Sequence, residues 1–242
     1  MRATINGLSF DEWPRDLDTS FVITPGGLTG WFGGASMRRE ETARPYAHGA
    51  FDAPGFLPAR VVGITGTALA SSEDILERML LHLSGLGADG SKKRLTVQDD
   101  RGDATWADVR LASCQIDRHP SGMEADFEVQ FWAPNPRRFG AERSFPPGTI
   151  YHDGNFEAAP TFTITSAPAA YTITSPAGSF VVSGATAGGT HVVDMRTGRV
   201  ARNGVLMLGV AAGPTWAVPP GPGWVHSINT GTFTAQIVDT FI

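Results

Sequence analysis

The sequence is poor in cysteine, in charge and in long apolar runs, and each shortage closes off a class of protein. Its 242 residues hold one cysteine, Cys114, so neither an intramolecular disulfide framework nor a multi-cysteine metal site can form. Charged residues are 18% and the formal net charge is −5, so no basic field invites nucleic acid or an anionic membrane surface. No apolar run is long enough to span a bilayer, and no membrane insertion is expected. The opening "MRATINGLSFDEW" lacks the apolar stretch of a signal peptide. Synthesis and folding in a cytoplasm are therefore the expectation.

Catalytic signatures are missing as well. There is no G-x-S-x-G, no P-loop lysine motif and no Rossmann fingerprint after a strand. Histidines stand at positions 48, 82, 119, 152, 191 and 226, none at a ligand spacing from another His, Cys or carboxylate. No metal, no cofactor and no enzymatic activity are expected. His48 and Asp52 suggest a general acid–base pair, but no nucleophile or oxyanion donor accompanies them. The competing reading is a turn in which Gly49 takes a left-handed backbone and Asp52 caps it. "RGD" at Arg101 to Asp103 falls between two strand patterns and reads as a hairpin turn.

What the chain does have is glycine, proline and alternation. Gly 29 and Pro 17 without a strict period point to many turns and many short strands. Phe21 and Ile23 alternate with Val22 and Thr24, and "TPGGLTGW" reads as a turn before Trp31. "ARVVGITGTALA" puts Val62, Ile64 and Gly66 on one face, and "EADFEVQFWAP" puts Phe127, Val129 and Phe131 inward. Ser71 with Asp74 reads as a capping box ahead of Ile75, Leu76, Met79, Leu80, Leu83 and Leu86, which fall at helical spacing until Gly85 and Gly87 stop them. This is the one clear helix pattern.

Two stretches break the regularity. From Gly33 to Ala59 no period survives, although three prolines and both charge signs are present. A loop of that length inside a domain is normally functional or reaches for a partner. "APNPRRFGAERSFPPG" marks a composition shift and reads as an inter-domain connection. Beyond it, Thr, Val, Ile, Phe and Gly dominate in short strands with turns between them, which describes a β-sandwich. Within that half, "VDMRTGRVARNG" carries an Asn-Gly hairpin signal. Trp216 and Trp224 flank "AVPPGPG" and are candidate weak carbohydrate contacts; alternatively they plug the sandwich core or pack on the proline turn.

Taken in order, "RPYAHGAFDAPGFLPARVVGITGTALASSEDILERMLLHLSGL", "LTVQDDRGDATWADVRL", "FWAPNPRRFG", "HDGNFEAAPTFTI", "VDMRTGRVARNG" and "WAVPPGPGWV" resemble the distal tail (Dit) proteins of siphovirus-type bacteriophages. The resemblance implies a mainly β fold. Residues 1–140 would form an N-terminal ring-forming domain, a β-sandwich or split barrel with one α-helix. Residues 141–242 would form a galectin-like C-terminal β-sandwich. It implies a structural, non-enzymatic hexamer that joins the tail tube protein to a tail tip or hub protein. The hexamer would sit at the distal end of the virion tail, with DNA only as passing cargo. In that setting Arg38, Arg39, Glu40 and Glu41, beside Tyr46, Phe51 and Phe56, are the candidate subunit interface. The alternative is a lectin-like module acting in host-surface adhesion.

Overall fold

In the computed structural model the alternation of "EADFEVQFWA" becomes one wall of a closed barrel. The structure describes residues 1–14, 16, 19–34 and 36–242. They divide into two units, one of Met1–Arg138 with Ile242 and one of Phe139–Phe241.

The first unit contains β1 (Arg2–Ile5), β2 (Leu8–Asp11), β3 (Thr19–Thr29), β4 (Arg60–Ala70), α1 (Glu73–Ser84), β5 (Lys93–Gln98), β6 (Ala104–Arg118) and β7 (Glu124–Ala133). Strand neighbours run β1-β2-β3-β4-β7-β6-β5 and back to β1. The barrel therefore has no free edge. All its pairings are antiparallel except β2 with β3. Phe127, Val129 and Phe131 point inward at 2%, 0% and 1% exposure. Phe127 meets Phe10 and Phe21 with ring centroids 5.5 and 5.6 Å apart. Gly66 belongs on this face because a Cβ there would sit 2.1 Å from the Val22 carbonyl oxygen and 2.8 Å from the Phe127 ring. The helix closes the core with Leu76, Leu80 and Leu83, and Leu86 follows it inward.

Three local expectations change. "TPGGLTG" is not a turn that ends β3: the strand continues through a register shift between Ile23 and Leu28. Thr24 Oγ1 donates to the Thr65 carbonyl at 3.1 Å across it, so the bulge is tied to β4. The capping box does not form: the helix begins at Glu73 with Ser72 as its N-cap, and the N-cap has no side-chain hydrogen bond. The stretch read as an inter-domain connection does hold the boundary between the two units, at Arg138 and Phe139, but largely as a strand, β8 (Arg138–Phe145), and not as a loop. Arg138 is buried, and Arg143 binds Asp239 at 3.1 Å and also Asp153.

The second unit is a two-sheet sandwich. It adds β9 (Gly148–Ile150), β10 (Thr161–Thr165), β11 (Tyr171–Ser175), β12 (Gly178–Val182), β13 (Thr190–Asp194), β14 (Arg199–Arg202), β15 (Val205–Met207), β16 (Ala211–Ala212), β17 (Trp224–Ile228) and β18 (Thr234–Phe241). One sheet runs β15-β14-β13-β10-β18-β8 and the other β16-β12-β11-β17-β9. Phe162, Ile173, Phe180, Val193, Phe233 and Ile237 fill the space between them. The Asn-Gly signal is fulfilled: Asn203 and Gly204 take φ of 48° and 82° between β14 and β15, whose Arg202 and Val205 are paired. Left-handed backbone at both positions matches the twist of a two-residue hairpin.

Candidate functional site

The aperiodic segment between β3 and β4 is a sparse hairpin arm. Arg38 pairs with Phe56 and Ala43 with Ala50, both antiparallel. The Arg38 and Phe56 backbones exchange two hydrogen bonds, of 2.8 and 2.9 Å. Nearer the tip, Phe51 N–H donates to the Thr42 carbonyl and Arg44 N–H to that of Gly49. Gly49 takes φ of 87°, the turn conformation expected of it, and His48 and Asp52 are exposed on either side. Ala35 lies outside the described residues.

No residue described from Phe32 to Ala59 is buried. That is unusual for a segment so rich in large apolar side chains. Phe51 is 57% and Phe56 63% exposed, and Tyr46 at the tip is fully exposed. The Arg44 guanidinium lies 5.8 Å from the Phe51 ring centre. Arg38, Arg39, Glu40 and Glu41 are exposed along the first strand of the arm. The structure therefore gathers the candidate interface residues on one exposed element. Phe32 and Met37 are also exposed on this segment and were not among the residues named from the sequence.

The arm's root is built differently. Arg60, the first residue of β4, is 6% exposed. Its Nη1 donates to the carbonyls of Gly30, Trp31 and Gly33 at 2.7, 3.0 and 3.1 Å. Its Nε donates to the Pro136 carbonyl at 3.0 Å, and its buried Nη2 has no hydrogen-bond partner among the described residues. Burial lowers the pKa of Arg60. The neighbouring Arg138 is pushed down to about 10, by burial first and then by the charge of Arg60. Arg138 lies over the rings of Trp31 and Phe32 at 5.8 and 5.9 Å. Trp31 itself is fully buried, and its indole N–H donates to Thr105 Oγ1 at 3.2 Å. Gly30 has φ of 70°, and a Cβ there would sit 1.9 Å from the Val61 carbonyl oxygen. Only glycine fits that turn.

No family model matches the chain, and no curated protein matches it in sequence. Solved structures do match. The Dit protein of phage SPP1, described as a paradigm of the hub adsorption apparatus in phages infecting Gram-positive hosts, superposes with a TM-score of 0.73 at 15% identity. The match covers 100% of this chain and 99% of that one. The chain has the Dit fold. Chains of the phage P2 baseplate in its activated, calcium-bound conformation match with a TM-score of 0.49 at 8% identity, over 97% of each chain.

Within the Dit fold, the tryptophan site proposed from sequence fares badly. Trp216 is 6% exposed. Its Nε1–H donates to His226 Nε2 at 3.0 Å, and His226 Nδ1–H donates to the Trp224 carbonyl at 2.8 Å. Its ring packs against Phe162, 6.4 Å centre to centre. A ring so enclosed has no face for a sugar, so Trp216 is a core residue and not a carbohydrate contact. Trp224 is half-buried against the same core. The structure does not present the two as a stacking platform. Among the described residues, no three His, Cys, Asp or Glu side chains gather as a metal site, and no helix is long and apolar enough to cross a membrane.

Proposed function

We propose that this protein is the distal tail hub of a long-tailed bacteriophage. On this reading it is a structural subunit that closes into a six-fold ring between the tail tube and the tail tip, with a channel for DNA. The observation that carries the reading is the end-to-end match of both units to the SPP1 Dit hub protein. A single shared domain could serve many purposes; a match that runs over nearly the whole of both chains supports a shared role.

The arm supplies the means of assembly. A closed ring needs heterologous contacts, in which one surface meets a different surface of the next subunit. Met37, Tyr46, Phe51 and Phe56 are large apolar groups held off the body, suited to bury in a neighbour, while Arg38, Arg39, Glu40 and Glu41 set register around them. The acidic balance suits a channel through which DNA slides, since a basic wall would hold phosphates. Tube and tip proteins are the partners, and the distal end of the virion tail is the location.

Native mass spectrometry with negative-stain imaging tests this. Because Arg38 and Phe56 are cross-strand neighbours, residues 39–55 can be replaced by two glycines that close a turn between them. The expected result is six-fold rings from the intact chain and folded, unclosed subunits from the shortened one. An intact chain that stays monomeric at high concentration, even with tube and tip proteins present, would overturn the proposal.

A further inference from the structure

We infer that Arg60 is a positioning residue that sets the direction of the arm, acting as a clasp between the two ends of the segment and the exit of β7. The inference rests on the assembly role proposed above for the arm, but its test is separable from it. Among its described residues the arm has no buried side chain from Phe32 to Ala59, so its direction must be fixed where it joins the barrel.

Arg60 is placed to fix it. Gly30, Trp31 and Gly33 lead into the arm, Arg60 is the first residue after it, and Pro136 follows β7. One guanidinium takes carbonyls from the leading segment and from residue 136 at 2.7–3.1 Å. The acceptors lie on two sides of the guanidinium, three at Nη1 and one at Nε. A planar fork with five fixed N–H groups can serve both sides at once, whereas an ammonium donates from a single point. The acceptors are main-chain carbonyls, whose positions report backbone course directly.

The surroundings stiffen the same point. Trp31 is fully buried and anchored to Thr105, and Arg138 covers the outer side of Trp31 and Phe32. The left-handed turn at Gly30 brings its carbonyl to Arg60 and leaves no room for a Cβ beside the Val61 carbonyl. A charged residue is buried here at a real cost in desolvation, and fixing the arm's departure is a return that a simple loop closure would not need.

The test separates arm direction from ring formation. Spin labels placed by Ala47→Cys at the arm tip and Thr65→Cys on the barrel wall, in the full chain with Cys114→Ser, report the arm's direction on isolated subunits. The native Arg60 chain is expected to give one narrow distance distribution. Arg60→Lys, which keeps the charge and the stem but loses the fork, is expected to broaden it at least about twofold and to cut ring yield about tenfold at equal concentration. Should the lysine chain fail to fold, Arg60→Gln reads the same distance. A distribution as narrow in the variant as in the native chain would overturn the clasp, whatever the rings do. Broadening in a chain that never forms rings would leave the clasp standing and remove the assembly reading instead.

Discussion

Replacing Trp216 by phenylalanine asks whether this side chain is core or binding surface. The substitution keeps an aromatic ring against Phe162, but removes the indole N–H that His226 Nε2 accepts at 3.0 Å. His226 is 1% exposed, so no solvent reaches the orphaned acceptor. A buried acceptor left unmade costs about 1–3 kcal/mol, and the missing indole atoms leave a void worth roughly 1–2 kcal/mol more. Trp216→Phe should therefore destabilise the second unit by about 2–4 kcal/mol.

In a domain of about 100 residues that loss lowers the melting temperature by roughly 10 °C or more. Trp224→Phe is the control. His226 donates to the Trp224 backbone carbonyl, which the substitution leaves in place, and the side chain is only half-buried. Its expected cost is below about 1 kcal/mol. Scanning calorimetry on both variants, alongside a glycan array, decides the matter. A Trp216→Phe protein that melts like the parent would refute the packing argument. If it also lost binding to a sugar that the parent binds, the adhesion reading would move ahead.

Two further outcomes are expected. Leu80→Ala, at 3% exposure, should cost about 2–5 kcal/mol and Leu81→Ala, at 67%, less than about 0.5 kcal/mol; equal shifts in chemical denaturation would contradict the helix orientation. Burial holds His226 below its ordinary 6.5, so the neutral ring's contribution to the second unit is complete above pH 6.5 and is lost as pH falls from there toward the folded value. Melts between roughly pH 8 and pH 5 should fall with acid in the parent and flatten in His226→Phe.

How much of this was legible in the sequence follows from where a pattern had room to repeat. β7 buries one face along its whole length, so "ADFEVQF" alternates cleanly and its inward residues could be named. The helix stripe was equally plain. The Asn-Gly hairpin was legible because left-handed backbone at two successive positions restricts which residues can occupy them. Trp216 was not legible: it stands in a short segment among prolines, where no period separates inside from outside. The arm's pairing was hidden for a related reason. A hairpin that buries neither face imposes no alternation on its residues. Arg60 was missed because a charge at the start of a strand ordinarily faces water, and nothing in "PARVVG" announces four converging carbonyls. Those carbonyls come from residues 30, 31, 33 and 136, brought together only by the closure of the barrel.

The contrast between the arm and its root bears on how such a fold can persist at 15% identity. The barrel and the sandwich ask only for alternation and volume, which many sequences satisfy. The arm asks for even less from its own chain: four cross-strand backbone bonds among its described residues and no buried side chain. If its apolar groups serve a neighbour, their identities answer to the surface of that neighbour and can drift with it. The root has no such freedom. Gly30 is required by a backbone turn pressed against Val61, and Arg60 by a set of carbonyls on two sides of its guanidinium. If the chain closes into the proposed ring, an arm held only at its root would let contacts with a neighbour change without changing the geometry of the ring.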